Sequence, residues 1–205
     1  MKHILCYGDS NTHGYNPAGG RYDDNTRWTR QLANLLGSDY LILEEGLNSR
    51  TSSFDDPLAP YKNGMDFIVP CIETHKPVDL TILMLGSNDM KQRFAPSVEK
   101  IADSLHRLTK TILDVSEAPV LLVSPIHLGD NMENSEFASS FPQASIRISH
   151  ELGNALEKVA DHLGVAFLNA ADYAKPSWED SLHLTAEGHH ALANAFYHKI
   201  KEMGI

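Results

Sequence analysis

The sequence predicts a three-layer α/β sandwich in which helices cover both faces of a doubly wound, five-stranded parallel sheet. Five short apolar runs, each bounded by glycine or polar residues, are typical of buried parallel strands. Segments with helical periodicity separate these runs, and this alternation favours parallel strands joined by right-handed crossovers. No linker, repeat or shift in composition interrupts the pattern, so we expect a single domain over residues 1–205.

The first half of the chain contains three predicted strands and two predicted helices. The strands are predicted at residues 2–7, 40–43 and 80–85. Apolar residues recur on one face of residues 26–36, which predicts a helix that ends at Gly37. A second helix is predicted over residues 64–75, where we expect Pro70 to kink or shorten it.

The second half of the chain contains two more strands, predicted at residues 120–123 and 165–168. Apolar residues at helical spacing predict a long helix that begins near Pro96 and another that includes residues 152–163. A last helix is predicted from about Thr185, a typical N-cap residue, to Met203. Residues 124–142 lack periodicity, and because structureless loops of this length are uncommon, we expect this segment to be functional or mobile.

Composition and charge exclude several classes of function. The formal net charge is −10, and because binding to a phosphate backbone requires clustered Lys and Arg, we expect no nucleic-acid partner. No apolar stretch reaches 18 residues, so we expect no membrane span. Cys6 and Cys71 form no disulfide framework and show no metal-ligand spacing. No signal peptide precedes the first strand, so we expect a cytoplasmic location.

The sequence Gly8-Asp-Ser-Asn is the first candidate for a catalytic site. A buried strand that ends on Gly8 places Ser10 at the carboxyl edge of the sheet, where open α/β sheets bind ligands. Ser10 is therefore a candidate nucleophile, although Gly, Asp, Ser and Asn are also the usual residues of a turn. We expect Asp9 to organise this loop rather than to act as an acid, and His13 to have a structural role.

Two further loops and a late pair of residues extend this candidate site. Gly46-Leu-Asn follows the second strand, Gly86-Ser-Asn-Asp follows the third, and Asp180 and His183 follow the fifth. Because the carboxyl ends of parallel strands meet at one edge of a sheet, we expect these groups to lie near Ser10. The chain order Ser, Asp, His is one of the known orders of a catalytic triad.

These residue types have defined roles in the cleavage of an ester. A serine hydroxyl becomes a good nucleophile only when a base removes its proton. His183 is the predicted base because imidazole titrates near neutral pH, and Asp180 is predicted to hold the other ring N–H. The oxyanion formed on attack needs preorganised donors. The candidate donors are the backbone N–H groups of Ser10 and Gly46 and the side-chain amide of Asn88.

Some of these residues also have ordinary explanations. Asn88 is a candidate for an Asx-turn that closes residues 86–89. Asp180 is also a candidate for a polar loop that leads to the N-cap at Thr185. Arg50 is expected to hold its own loop or to form an interface, and the sequence does not separate these two roles.

A metal site is a further alternative for the histidines near the end of the chain. His183, His189 and His190 lie close together in sequence, but no Asp, Glu or Cys set with ligand geometry accompanies them. We therefore expect no metal and no other cofactor. His189 and His190 are expected to be solvent-facing or packing residues of the last helix.

Four short motifs resemble those of SGNH hydrolases, also called GDSL esterases. The family has a Ser in Gly-Asp-Ser, a Gly, an Asn in Gly-x-Asn-Asp and a His in Asp-x-x-His. This chain matches these four motifs, in the same order, at Ser10, Gly46, Asn88 and His183. Asp180 is the acid of the last motif. The motifs occur in order, each after its own predicted strand, and together span residues 8–183. The resemblance implies a flavodoxin-like sheet and ester hydrolysis without a metal or cofactor.

Within this family, the loops of the chain look most like those of the bacterial arylesterase and acyltransferase branch. The similar stretches are Gly-Asp-Ser-Asn-Thr-His-Gly and Gly-Leu-Asn-Ser-Arg-Thr. Asn11 replaces the Leu of the GDSL name, so the name does not imply lipase activity here. The branch includes multimers, which leaves a homo-oligomer open.

The resulting functional hypothesis is a serine esterase that hydrolyses small, short-acyl or aryl esters through an acyl-enzyme. A carbohydrate O-deacetylase would use the same chemistry with a different pocket. A non-catalytic ligand-binding module on the same fold is the alternative from another class, and the Ser10, Asp180 and His183 set argues against it. Residues 124–142 follow the fourth strand and are expected to form a lid, a specificity loop or an interface at the catalytic edge.

Overall fold

The computed structural model describes residues 1–205 and contains one sheet. Its strands are β1 (Lys2–Gly8), β2 (Tyr40–Gly46), β3 (Leu80–Met84), β4 (Val120–Ser124) and β5 (Ala166–Asn169). They are paired in parallel in the order β2-β1-β3-β4-β5, which is the flavodoxin-like order of a doubly wound sheet. The predicted α/β class and five-stranded parallel sheet are confirmed.

Six α-helices connect and cover the strands. They are α1 (Ser10–His13), α2 (Trp28–Leu36), α3 (Gly64–His75), α4 (Val98–Val115), α5 (Gln143–Leu163) and α6 (Ala186–Glu202). Helices α2 and α6 cover one face of the sheet, and α3, α4 and α5 cover the other. None of the helices has both the length and the apolar character needed to cross a membrane.

The inner strand β1 contributes to two separate cores. Ile4 and Cys6 pack into the core with α2 and α6, whereas Leu5 and Tyr7 pack into the core with α3, α4 and α5. Successive strand residues point to opposite faces, so a continuous apolar run is required when both faces are covered. The run is therefore that of an inner strand, which pairs with β2 and β3 and ends with Gly8 at the carboxyl edge.

The predicted helix boundaries have identifiable caps. Thr185 Oγ1 accepts a hydrogen bond from the N–H of Gly188 at 3.1 Å, which confirms the predicted N-cap of α6. Gly37 follows α2 with φ of +82°, a conformation that favours glycine. Helix α3 runs through Pro70 over the whole predicted range, so Pro70 does not shorten it. Asp66, whose carbonyl loses its helical partner at Pro70, is exposed to solvent.

Residues 124–142, which lack sequence periodicity, fold against the core beside α4 and α5. The segment contains a 3-10 helix (Asp130–Asn134), and its side chains of Leu128, Met132 and Phe141 are buried in that core. The N–H of Leu128 donates to Ser149 Oγ at 3.0 Å. Leu128, Met132 and Phe141 therefore anchor the segment to the core, and their irregular spacing reflects a segment that packs without repeating structure.

Candidate active site

Ser10 lies where β1 turns into α1, at the carboxyl edge of the sheet. Asp9 is the N-cap of α1, and its Oδ1 accepts a hydrogen bond from the N–H of Asn11 at 2.9 Å. A Cβ at Gly8 would lie 2.1 Å from Thr12 Oγ1 and 2.8 Å from the carbonyl oxygen of Met84, so glycine is needed for α1 and β3 to pack this closely here. Asp9 thus organises the turn, and Ser10 becomes the first residue of the short helix α1, which periodicity did not predict.

Ser10, His183 and Asp180 form one hydrogen-bonded series. Ser10 Oγ lies 2.9 Å from His183 Nε2, and His183 Nδ1 lies 2.6 Å from Asp180 Oδ2. All three residues are buried, with exposed fractions of 7%, 3% and 3% in the same order. The structure therefore brings together the three residues that the sequence placed after β1 and β5.

Asp180 organises its own loop as well as the imidazole. Its Oδ1 accepts hydrogen bonds from the N–H groups of Leu182 at 3.0 Å and His183 at 2.9 Å, while its Oδ2 faces the His183 ring. Burial by itself raises the pKa of Asp180, but the hydrogen bonds and charge of His183 together with these N–H groups outweigh it, and the net pKa is lowered. Asp180 is therefore a carboxylate at neutral pH. One of its oxygens holds the polar loop and the other holds the imidazole, so the two explanations of Asp180 are compatible.

Asn11 connects α1 to the loop that holds His183. Asn11 Oδ1 accepts from the N–H of Leu184 at 2.9 Å, and its Nδ2 donates to the carbonyl of Leu182 at 3.3 Å. These two backbone groups belong to the residues on either side of His183. Sequence reasoning treated Asn11 only as a departure from the GDSL motif, whereas the structure shows it holding the histidine loop next to Ser10.

Two aromatic rings pack against the imidazole of His183. The ring of Tyr15 lies at a centroid distance of 4.2 Å with an interplanar angle of 32°, and the ring of Phe137 approaches edge-on at 5.5 Å. Phe137 belongs to residues 124–142, so this segment reaches the active site as expected. The two rings restrict the orientation of the imidazole and shield it from solvent.

The side chain of Asn88 faces the cavity next to Ser10. Asn88 follows β3 and begins a 3-10 helix (Asn88–Met90), and it lines the same cavity as Ser10 and His183. An Asx-turn requires the side chain to accept a backbone N–H, but the N–H of Met90 donates instead to the carbonyl of Ser87 at 3.3 Å. The structure therefore gives no support to the turn explanation, and the Asn88 amide is available to a ligand.

Gly46 does not line the cavity, contrary to its expected place among the oxyanion donors. It pairs with Gly8 as the last residue of β2, and a Cβ at this position would lie 2.1 Å from the backbone N of His13. The glycine therefore permits close approach of the helix α1, not of a ligand. The assignment of Gly46 to the site is corrected for this reason.

Ser49, three residues after Gly46, is the residue of this loop that reaches the cavity together with Asn48. It lines the cavity and has φ of +67°, a left-handed conformation that is uncommon outside glycine. The turn is closed by the N–H of Arg50, which donates to the carbonyl of Leu47 at 3.0 Å, and the Ser49 N–H has no backbone partner. A serine in this conformation gives no sequence signal, which is why the residue was missed.

Arg50 and Asp89 fix the loop that carries Ser49. Arg50 Nη1 donates to the carbonyls of Gly8, at 2.9 Å, and Glu45, so Arg50 holds its own loop. Asp89 Oδ1 accepts hydrogen bonds from the N–H of Ser52, at 3.0 Å, and from the hydroxyl of Ser52. These bonds tie the loop to the residue after Asn88. Burial raises the pKa of Asp89 to about 6, and the Ser52 hydrogen bonds only partly oppose this effect.

A cavity of about 470 Å³ opens at Ser10, Ser49, Asn88 and His183. Part of its lining is apolar, from the side chains of Leu58, Phe137, Phe141 and Leu182. Another part is charged: Asp56 Oδ1 lies 3.4 Å from Arg93 Nη1 and Asp56 Oδ2 lies 3.8 Å from Lys91 Nζ. The cavity therefore offers both apolar surface and hydrogen-bonding groups to a small ligand.

The other histidines singled out in the sequence lie outside this cavity. His189 is fully buried, its Nδ1 accepts the N–H of Trp28 at 3.3 Å, and burial lowers its pKa to about 4. His190 is exposed and pairs with Gln31 at 2.8 Å. His13 lies against β2, and its carbonyl accepts a hydrogen bond from Arg21 Nε at 2.7 Å. His189 therefore packs the fold and His190 lies at the surface, while both ring nitrogens of His183 are engaged by Ser10 and Asp180.

Comparisons with known proteins identify the family of the chain. The family model described as GDSL-like lipase/acylhydrolase matches residues 6–191. Est24, a carbohydrate acetylesterase from Sinorhizobium meliloti, is 33% identical with a TM-score of 0.95, and the alignment covers 99% of this chain and 100% of that chain. The aryl esterase of M. smegmatis is 32% identical with a TM-score of 0.93, covering 98% and 99% of the two chains. No curated protein sequence matches the chain.

The family match extends from β1 into α6, so it includes every loop at the carboxyl edge of the sheet. The two similar solved structures cover nearly the whole chain and are both esterases. The chain therefore belongs to the GDSL-like lipase/acylhydrolase family, that is, the SGNH hydrolases, and is a carboxylic ester hydrolase.

Proposed function

We propose that the chain hydrolyses small carboxylic esters of short acyl groups through an acyl-enzyme formed on Ser10. The observation that supports this proposal is the hydrogen-bonded path from Ser10 Oγ through His183 to Asp180, at the wall of the cavity. A hydroxyl paired with an imidazole that is itself held by a carboxylate is the arrangement that activates a serine. A ligand-binding module has no need of this arrangement.

In the acylation step, Ser10 Oγ attacks the ester carbonyl carbon while its proton passes to His183 Nε2. Asp180 accepts the Nδ1–H throughout, which fixes the tautomer and stabilises the imidazolium. The tetrahedral intermediate collapses when the imidazolium gives its proton to the leaving alcohol. The C–O bond of the alcohol breaks, and the acyl group remains on Ser10.

In the deacylation step, a water molecule takes the place of the alcohol. His183 Nε2 accepts a proton from the water, and the hydroxide attacks the acyl carbon. The second intermediate collapses with return of the proton to Ser10 Oγ and release of the carboxylic acid. Tyr15 and Phe137 keep the imidazole in place for both proton transfers.

The proposed oxyanion hole consists of the N–H groups of Ser10 and Ser49 and the side-chain amide of Asn88. Ser10 N lies at the start of α1, where an N–H has no partner within the helix. Ser49 and Asn88 line the same cavity from the loops after β2 and β3. Because Asp89 ties these two loops together through Ser52, the donors are preorganised before substrate binds.

The cavity favours a short acyl group and a small or polar alcohol. Asp56, Lys91 and Arg93 form part of its lining, and a long alkyl chain would remove these charged groups from water without replacing their hydrogen bonds. Leu58 and Phe137 offer apolar surface sufficient for an acetyl or aryl group. A small ester is therefore the substrate class that the lining suits best.

A carbohydrate O-acetyl ester is the second candidate substrate. The carboxylate of Asp56 and the cations of Lys91 and Arg93 are suited to the hydroxyl groups of a sugar. Est24, which is similar over nearly the whole chain, is a carbohydrate acetylesterase. The two candidates share one reaction and differ only in the group that these charged residues contact.

The test compares p-nitrophenyl acetate, butyrate and octanoate with acetylated oligosaccharides. We expect kcat/KM to fall steeply as the acyl chain lengthens, and Ser10→Ala to abolish turnover. In Arg93→Gln, a selective loss on acetylated oligosaccharides would support the sugar ester, and an equal effect on both substrates would support the aryl ester. Arg147→Gln, at an exposed arginine of α5, is the matched control. Full activity of Ser10→Ala would refute the proposal.

A further inference from the structure

A cluster of three metal-binding side chains lies at the edge of the sheet, separate from the catalytic cavity. Glu45 comes from the end of β2, and Cys71 and His75 lie one turn apart on α3. The ligand atoms of the three side chains all lie within 4.8 Å of one another, and His75 Nε2 is 2.8 Å from Glu45 Oε1. None of these residues lines the cavity at Ser10.

The three side chains form a donor set with a definite preference among metals. A thiolate, an imidazole and a carboxylate are the ligands of zinc, whereas calcium and magnesium require oxygen ligands. Residues four apart on a helix face the same side, which places Cys71 and His75 next to each other with Glu45 opposite. A thiolate and a carboxylate together balance the charge of one divalent ion.

We propose that Glu45, Cys71 and His75 bind one zinc ion, with solvent in the fourth tetrahedral position. Metal–ligand bonds of about 2.0–2.3 Å place tetrahedral ligand atoms roughly 3.3–3.8 Å apart, so the cluster needs only small side-chain movements. The side chains of His75 and Glu45 are 26% and 33% exposed, which gives an ion access from solvent. On binding, the S–H bond of Cys71 breaks, its proton leaves to solvent, and the sulfur binds the ion.

The position of the cluster gives zinc a defined structural effect. Helix α3 and the edge strand β2 are separate segments of the chain, and a shared ion would connect them directly. Glu45 also precedes the loop of Ser49, and its carbonyl accepts a hydrogen bond from Arg50. We therefore expect bound zinc to raise the Tm. The same geometry is also explained by a simple His75–Glu45 pair beside an uninvolved thiol, so the test must report on sulfur coordination.

The test is titration of the chelator-treated, reduced protein with Co²⁺, which reports thiolate coordination by a charge-transfer band. We expect one Co²⁺ per chain and displacement by Zn²⁺. Cys71→Ser and His75→Ala should each weaken binding by more than ~100-fold, beyond the 10–100-fold typical of losing an outer-shell partner. Glu73→Gln, an exposed acid of the same helix, is the matched control and should bind normally.

A second measurement needs no variant and so does not depend on the folding of Cys71→Ser. Zinc should protect Cys71 of the wild-type protein from alkylation, as read by peptide mass, while Cys6 stays unreactive because it is fully buried. Absence of a thiolate–cobalt band, a band that persists in Cys71→Ser, or alkylation of Cys71 unaffected by zinc would each overturn the proposal. Neither readout uses ester turnover, so the result is independent of the proposed esterase reaction.

Discussion

Replacement of Asn11 by Ala should separate the holding of His183 from the chemistry itself. The Asn11 side chain bonds to the N–H of Leu184 and the carbonyl of Leu182, on either side of His183. Truncation leaves both backbone groups buried without their partners and removes the link between α1 and the histidine loop. Ser10, His183 and Asp180 remain in the chain, so any loss of kcat reflects their relative position.

The size of the effect follows from these two hydrogen bonds. Each buried polar group left unpaired costs about 1–3 kcal/mol, so we expect the free energy of unfolding to fall by about 2–6 kcal/mol. A native stability of about 5–15 kcal/mol leaves the protein largely folded at 25 °C in most of that range. A displacement of the imidazole by about 1 Å costs roughly 10²-fold in rate, so kcat should fall by about that factor.

The assay measures kcat and KM on p-nitrophenyl acetate, the rate of Ser10 labelling by a fluorophosphonate, and the thermal melt. We expect kcat and the labelling rate to fall together with little change in KM. Asn11→Asp keeps the acceptor for the N–H of Leu184 and loses only the donor to Leu182, so it should retain more activity than Asn11→Ala. A folded Asn11→Ala enzyme with wild-type kcat would refute the role of Asn11 in positioning His183.

Four further results are expected. Asn88→Ala should lower kcat by roughly 10²–10³, about 2.7–4 kcal/mol, with little change in KM in steady-state assays, and a normal kcat would leave the oxyanion to the backbone donors. Asp180→Asn should lower kcat by roughly 10⁴, and near-normal turnover would require another acid. Because the folded-state pKa of Asp89 is about 6, above the ordinary 3.8, folding takes up a proton between these values, and the free energy of unfolding falls as pH rises through them. The free energy of unfolding of Asp89→Asn, measured by urea titration, should therefore rise relative to that of wild type by up to roughly 3 kcal/mol from pH 4 to pH 6 and no further above pH 6. A difference between the two proteins that does not depend on pH would contradict this. Phe137→Ala should change the relative kcat/KM among esters while Ser10 remains reactive to a fluorophosphonate, and unchanged selectivity would exclude this side chain from substrate choice.

The sheet was predictable because its inner strands β1, β3 and β4 are buried on both faces. Each buried parallel strand needs an unbroken apolar run, and the polar residues after the run then lie at the carboxyl edge. This rule places Ser10 and Asn88 at the same edge, whereas the Asp180–His183 pair lies well beyond the end of β5 and reaches Ser10 through the loop before α6. Helix α1 escaped prediction because four residues are too few to show a period of 3.6.

The features that the sequence did not predict depend on contacts between distant segments. Ser49 faces the cavity because of its backbone conformation, and a serine with positive φ cannot be distinguished from any other loop serine. Asn11 acquires its role only when α6 and its preceding loop return to β1. Cys71 and His75 are at helical spacing, but Glu45 joins them only through the packing of α3 on β2.

The paired glycines at the ends of β1 and β2 have a consequence for the wider family. Helix α1 rests directly on Gly8 and Gly46, where a Cβ would come within 2.1 Å of Thr12 and of the His13 backbone. A relative with a side chain at either position would have to lift this helix and carry its serine out of line with the imidazole. The glycine pair therefore offers a test for telling active enzymes from degenerate copies among newly sequenced genes, even where the serine and histidine are both retained.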